Sequence, residues 1–136
     1  KGLDLGVSNF YGKDSLTVGT KKLIVRKRTG FEVNYENKRF SARGEYIYGN
    51  DEPTNRGGYY VQTGYYFIPQ KLQVIFRFDQ YDPDSSKGSN ISTLYVADVN
   101  YYFNPLTRLQ IGYNLKKEET TQVDNDYLQF QFQIGF

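Results

Sequence analysis

From Leu128 to Phe136 every even position is apolar and every odd one is Gln or Gly. A strand turns its side chains to opposite faces at successive residues, so Leu128, Phe130, Phe132, Ile134 and Phe136 form one row and Gln129, Gln131 and Gln133 the other. The same period recurs along the chain. Between Gly2 and Phe10, Leu3, Leu5 and Val7 share a face. From Gly30 to Asn37, Phe31, Val33 and Tyr35 oppose Glu32, Asn34 and Glu36. Phe40, Ala42, Gly44, Tyr46 and Tyr48 oppose Ser41, Arg43 and Glu45. Tyr59, Val61, Thr63, Tyr65 and Phe67 oppose Tyr60, Gln62, Gly64 and Tyr66. Leu72, Val74, Phe76 and Phe78 oppose Gln73, Arg77 and Asp79. Tyr95, Ala97, Val99, Tyr101 and Phe103 oppose Asp98 and Asn100, and Leu109, Ile111, Tyr113 and Leu115 oppose Arg108, Gln110, Asn114 and Lys116. The pattern predicts about eight antiparallel strands, most of them near the roughly 9–11 residues that a tilted strand needs to cross a bilayer.

The connections alternate in length. Asn37-Lys38-Arg39, Pro69-Gln70 and Asn104-Pro105-Leu106 read as tight turns, whereas Gly49 to Gly57, Asp82 to Ser92 and Glu119 to Asn125 read as longer polar loops. Short turns at one end and long loops at the other are the wiring of an outer-membrane barrel. Tyr11 to Thr29 alternates weakly and carries the basic run Lys21, Lys22, Arg26, Lys27 and Arg28. It is expected to be a long external loop with a short hairpin, or else a ninth or tenth strand.

Composition sharpens the choice between a membrane barrel and a soluble sandwich, which share the alternation. The 136 residues suit a single domain spanning 1–136. Mean hydropathy is −0.68, yet 14 Tyr and 10 Phe are present. A soluble core leans on Leu, Ile, Val and Ala; a barrel with an apolar outside and a polar lumen has a soluble-looking average. Aromatic residues gather near the strand ends, as they do at lipid interfaces. The final Phe132, Ile134 and Phe136 resemble the signal read by the barrel assembly machinery. The expected fold is therefore all-β, a transmembrane antiparallel up-and-down β-barrel of about eight strands, or the C-terminal half of a sixteen-stranded one. Lys1-Gly2-Leu3-Asp4 has no apolar segment of the signal-peptide kind, which fits an exported protein in mature or truncated form.

Three strings carry a family resemblance. They are Gly57-Gly58-Tyr59-Tyr60-Val61-Gln62-Thr63-Gly64-Tyr65-Tyr66-Phe67, then Lys71-Leu72-Gln73 with Arg77-Phe78-Asp79-Gln80-Tyr81-Asp82-Pro83-Asp84, and Val99-Asn100-Tyr101-Tyr102-Phe103-Asn104-Pro105-Leu106-Thr107-Arg108-Leu109-Gln110. In order and spacing they resemble the C-terminal part of the phosphate-selective porin O/P family of Gram-negative bacteria, over roughly Gly30 to Phe136. The resemblance implies a sixteen-stranded channel assembled as a trimer. The arginine and lysine motifs of that family's constriction are not matched residue by residue, so the implied function is passive diffusion of small hydrophilic solutes or anions.

The sequence offers no chemistry beyond this. There is no His and no Cys, which removes the common zinc, haem and thiol sites and leaves no nucleophile with a base. No enzyme, cofactor or metal site is expected. Asp82-Pro83-Asp84-Ser85-Ser86 lacks the spacing of a calcium loop. A net charge of +2 argues against nucleic acid as a partner. The candidate pore-lining residues are Arg43, Glu45, Arg77, Asp79, Asp98, Arg108 and Lys116. They either bias ion passage or pair among themselves, for example Arg43 with Glu45 and Arg77 with Asp79. Expected partners are outer-membrane lipid and lipopolysaccharide, the assembly machinery, and either further copies of the chain or a larger envelope complex; the basic run either draws anions or anionic lipopolysaccharide or is simply a solvated loop. The competing reading is a small non-conducting barrel of the bacterial outer membrane that serves as an anchor or subunit.

Overall fold

The computed structural model describes residues 2–15 and 23–135. Every described element is a strand: β1 (Gly2–Ser15), β2 (Leu23–Glu36), β3 (Phe40–Asp51), β4 (Thr54–Ile68), β5 (Leu72–Asp82), β6 (Ser92–Asn104), β7 (Thr107–Glu118) and β8 (Tyr127–Ile134). They form one antiparallel up-and-down sheet in the order β1 to β8. Each strand contacts only its neighbours in sequence, and among the described residues β1 and β8 do not meet. The sheet is thus open, with a free edge on each side.

Register carries the apolar alternation intact across all eight strands. One row pairs Leu5 with Val33, Val33 with Gly44, and Gly44 with Val61. It continues from Val61 to Phe78, Phe78 to Tyr95 and Tyr95 to Leu115. On the far side Ile111 pairs with Phe130. A slip of one residue anywhere would have sent half of this face to the other side. Among the described residues no hydrophobic side chain is buried, while Phe76 is 60% and Phe130 65% exposed. The buried side chains are polar and lie on the opposite face: Gln73, Asn100 and Asn114. The sheet is inside-out by the standard of a soluble protein.

The end bearing the connections 37–39, 69–71 and 105–106 is called the lower end. Asn37 organises the first of these: its Oδ1 accepts from the Arg39 and Phe40 amides at 2.9 and 2.8 Å. In the second, the Lys71 amide donates to Ile68 O at 3.0 Å, with Pro69 and Gln70 at the corner. Gln70 there sits in the left-handed region, at φ 59°. In the third, Asn104 Oδ1 accepts from the Leu106 amide at 2.8 Å. The turns after β4 and β6 follow a shared pattern, Tyr65-Tyr66-Phe67-Ile68-Pro69 and Tyr101-Tyr102-Phe103-Asn104-Pro105. Both pairings shift register at the Phe, so Phe67 and Phe103 are bulge residues. Each ring stands edge-on to the Tyr two residues earlier, at 5.2 and 5.0 Å between centroids.

Two expectations about the upper end are corrected. Gly49 to Gly57 is not a long loop: β3 runs to Asp51, β4 starts at Thr54, and only Glu52-Pro53 joins them. Polar residues continue the ladder here because they pair across it. Asn55 Oδ1 accepts from the Tyr48 hydroxyl at 3.0 Å and from the Asn50 amide at 2.5 Å. Tyr11 to Thr29 is largely strand as well, since β1 runs through Ser15 and β2 begins at Leu23. Arg26, Lys27 and Arg28 are therefore strand residues opposite Gly12, Tyr11 and Phe10. Lys21 and Lys22 lie outside the described residues, as does Phe136.

Candidate functional site

The seven charged residues singled out from sequence share the polar face. Register aligns Asn34, Arg43, Gln62 and Arg77 in one transverse row and Glu32, Glu45, Tyr60 and Asp79 in the next. A basic row thus lies beside an acidic one. Arg77 joins the two rows: its Nε donates to Asp79 Oδ1 and Oδ2 at 3.0 and 2.8 Å, and its guanidinium lies 4.2 Å from the centre of the Tyr60 ring. A two-pronged carboxylate contact with a ring beneath it fixes an Arg more firmly than charge alone. Arg43 and Glu45 do not pair, and Arg43 is exposed with no ion pair among the described residues.

Above these rows Arg28 grips Asp51 with two bonds of 2.9 and 2.7 Å, and Arg56 Nε lies 3.6 Å from the same carboxylate. Below them Asp98 accepts from Gln110 Nε2 at 3.0 Å, and Arg108 donates to Gln133 Oε1 at 3.0 Å. Lys116 stands opposite Leu94, near the top of β7. The sequence reading brought these charged residues to one face. Beside them the structure gathers inward tyrosines and amides at the lower end that are not among the candidates above: Tyr66, Tyr102, Gln73, Asn100 and Gln110. The signal was present in the doubled tyrosines, since alternation sends the second of each pair inward.

The outer face has its own order. A lower aromatic row comprises Tyr35, Phe40, Tyr65, Phe67, Tyr101, Phe103 and Phe132, with Tyr35–Phe40 at 6.3 Å and Phe103–Phe132 at 6.2 Å. An upper row includes Tyr59, Phe78 and Tyr95, with neighbouring rings 5.8 and 5.2 Å apart. Between them lie Ala42, Val74, Ala97, Val99 and Ile111, together with Phe76 and Phe130. Tyr95 and Phe103 are eight residues apart along β6. At about 3.4 Å per residue, that is roughly 27 Å along the strand. Lys13, Lys27 and Lys117 are outward residues above the upper row, and Lys117 Nζ lies 6.0 Å from the centre of the Tyr95 ring.

The upper connections after β5 and β7 are tied together. The Glu119 amide donates to Ile91 O at 3.1 Å, the Ile91 amide to Glu119 Oε2 at 3.1 Å, and Thr120 Oγ1 to Ser89 O at 2.7 Å. Within the first connection Ser86 donates to Asp84 Oδ1 from its hydroxyl at 2.7 Å and from its amide at 3.2 Å. These bonds, followed by Lys87, hold the Asp84 carboxyl below the ordinary aspartate value. Its contribution to loop stability is accordingly full above the unfolded-state value and disappears as pH falls through the folded one. An NMR titration is expected to give Asp84 a midpoint below that of a free aspartate, and Ser86→Ala should raise it. An unshifted midpoint in the unmodified protein would refute the assignment.

No group of metal-binding side chains exists among the described residues. Comparison with protein-family models, with curated proteins and with solved structures gives no match.

Proposed function

We propose that this chain forms wall of an outer-membrane β-barrel porin, through which small hydrophilic solutes or anions diffuse. The observation that carries the reading is the outer face: one exposed apolar surface, continuous across eight strands and bounded by two aromatic rows. Water would penalise such a face at about 25 cal/mol for each Å² of apolar surface, and lipid would not. Backbone at a membrane-exposed sheet edge must also be paired. In this proposal the free edges of β1 and β8 are therefore joined by further strands into a closed barrel, as in a sixteen-stranded porin of the phosphate-selective type. The polar face then lines the lumen, and Arg43, Glu45, Arg77, Asp79, Asp98, Arg108 and Lys116 set its field.

The outer lysines Lys13, Lys27 and Lys117 would meet the anionic headgroups of lipopolysaccharide above the upper aromatic row. Phe132 and Ile134 at the end of β8 belong to the segment that the assembly machinery would read. No catalytic step, cofactor or nucleic acid enters this function.

Extraction and conductance together test the proposal. The protein should stay with native membranes through an alkaline carbonate wash and dissolve only in detergent. Reconstituted in planar bilayers, it should give stepwise chloride and potassium currents. Membrane retention without current would instead select the non-conducting anchor or envelope subunit. Release by carbonate would point to a soluble sandwich and sink both membrane readings.

A further inference from the structure

Lower on the polar face, register places Gln73, Asn100, Gln110 and Gln131 side by side on β5, β6, β7 and β8. Tyr66 and Tyr102 flank this amide row with rings 6.1 Å apart. The Tyr102 hydroxyl donates to Gln73 Oε1 at 3.2 Å, and Asn100 Nδ2 approaches the same oxygen at 3.5 Å. With Gln73 Oε1 as the acceptor in both contacts, the Asn100 amide turns its own oxygen the other way. That oxygen has no hydrogen-bond partner, although Asn100 is 0% exposed. A buried acceptor of this kind calls for a donor. The charged members of the cluster, Asp98 and Arg108, carry opposite signs, and Arg108 lies 6.0 Å from the centre of the Tyr102 ring.

These groups are poorly matched to phosphate. An anion needs donors, yet the cluster also carries the Asp98 carboxylate and the Gln73 oxygen. A hydroxyl donates and accepts at once, as a side-chain amide does, so adjacent amides match adjacent hydroxyls. Aromatic rings supply faces for the C–H surfaces of a sugar ring. We infer that the lower polar face is a subsite for a neutral polyhydroxylated solute of the saccharide class, an inference that rests on the porin reading and specifies what the lumen favours.

The test is block of chloride current through the full-length protein in planar bilayers, with maltotriose and with inorganic phosphate as probes. Maltotriose is expected to block saturably and at lower concentration than phosphate. Tyr102→Phe, which keeps the ring and loses the hydroxyl, should raise the half-blocking maltotriose concentration about fivefold, the weight of one hydrogen bond. Gln110→Leu should do the same. Tyr102→Ala should raise it further by removing the ring. Chloride current without maltotriose block, stronger block by phosphate, or block unchanged by all three variants would overturn the subsite and leave the porin reading standing. Absence of current under every condition would overturn the porin reading and this inference with it.

Discussion

Ile111→Arg is expected to cost about 2–4 kcal/mol of folding stability in a lipid bilayer, the penalty for a cation on the lipid face at the midplane. Ile111 points outward on β7, level with Val99 on one side and Phe130 on the other. It stands between the two aromatic rows, which in the proposed barrel is as far from headgroups as this face allows. Phe132→Arg should cost only about 0–1 kcal/mol, although Phe132 belongs to the same alternating strand. Its ring lies in the lower aromatic row, 6.2 Å from Phe103, where an arginine can reach the interface. The depth dependence separates a lipid-facing surface from a merely exposed one. Urea titrations in phosphocholine liposomes, followed by the electrophoretic shift between folded and unfolded protein, measure both. Equal costs at the two positions, or none at either, would mean that this face does not meet lipid.

The second large effect is expected from a methyl group. Gly112 lies directly opposite Asp98 on the polar face, and a Cβ at Gly112 would collide with Asp98 Oδ1. Asp98 cannot step aside freely, since its other carboxylate oxygen accepts from Gln110 at 3.0 Å. Gly112→Ala should therefore break that charge-assisted bond and cost about 1.5–3 kcal/mol. The remaining neighbour, Ala97 O at 3.8 Å, is an ordinary contact. In an Asp98→Ala background the same substitution should cost no more than about 0.5 kcal/mol, because the obstacle is gone. The same liposome titration closes the cycle. An equal cost in both backgrounds would place the strain in the backbone instead.

The strand interiors were legible because alternation is strict where a face is uniformly apolar. Leu109, Ile111 and Tyr113 read as one row in the sequence and pair as one row in the sheet. The strand ends were harder to read. Above the upper aromatic row, Asn50, Asn55, Arg26 and Arg28 have no apolar partner face to reveal a period, and their polar side chains look like loop chemistry. Arg28 is held in the ladder by Asp51 and Asn50 by Asn55, contacts between residues 23 and 5 apart in the chain, which composition cannot disclose. On the polar face the charges were visible as residue types, and their shared face followed from alternation. Of the two pairings read from the spacing, Arg77 with Asp79 forms, whereas Arg43 and Glu45 with the same spacing do not pair. What distinguishes them is the Tyr60 ring on the neighbouring strand, which props Arg77 in place.

Because each strand touches only its sequence neighbours, the sheet is an accretion of hairpins. Any consecutive pair of strands is a self-contained unit of pairing, with its own turn and its own register. The two Tyr-Tyr-Phe-x-Pro hairpins, β4–β5 and β6–β7, repeat not only residues but also the bulge and the edge-on ring pair. A copied hairpin inserted beside its original would find a ready-made edge, extend both faces in phase and leave the registers elsewhere untouched. In this architecture, the sheet can widen two strands at a time without a new solution to packing.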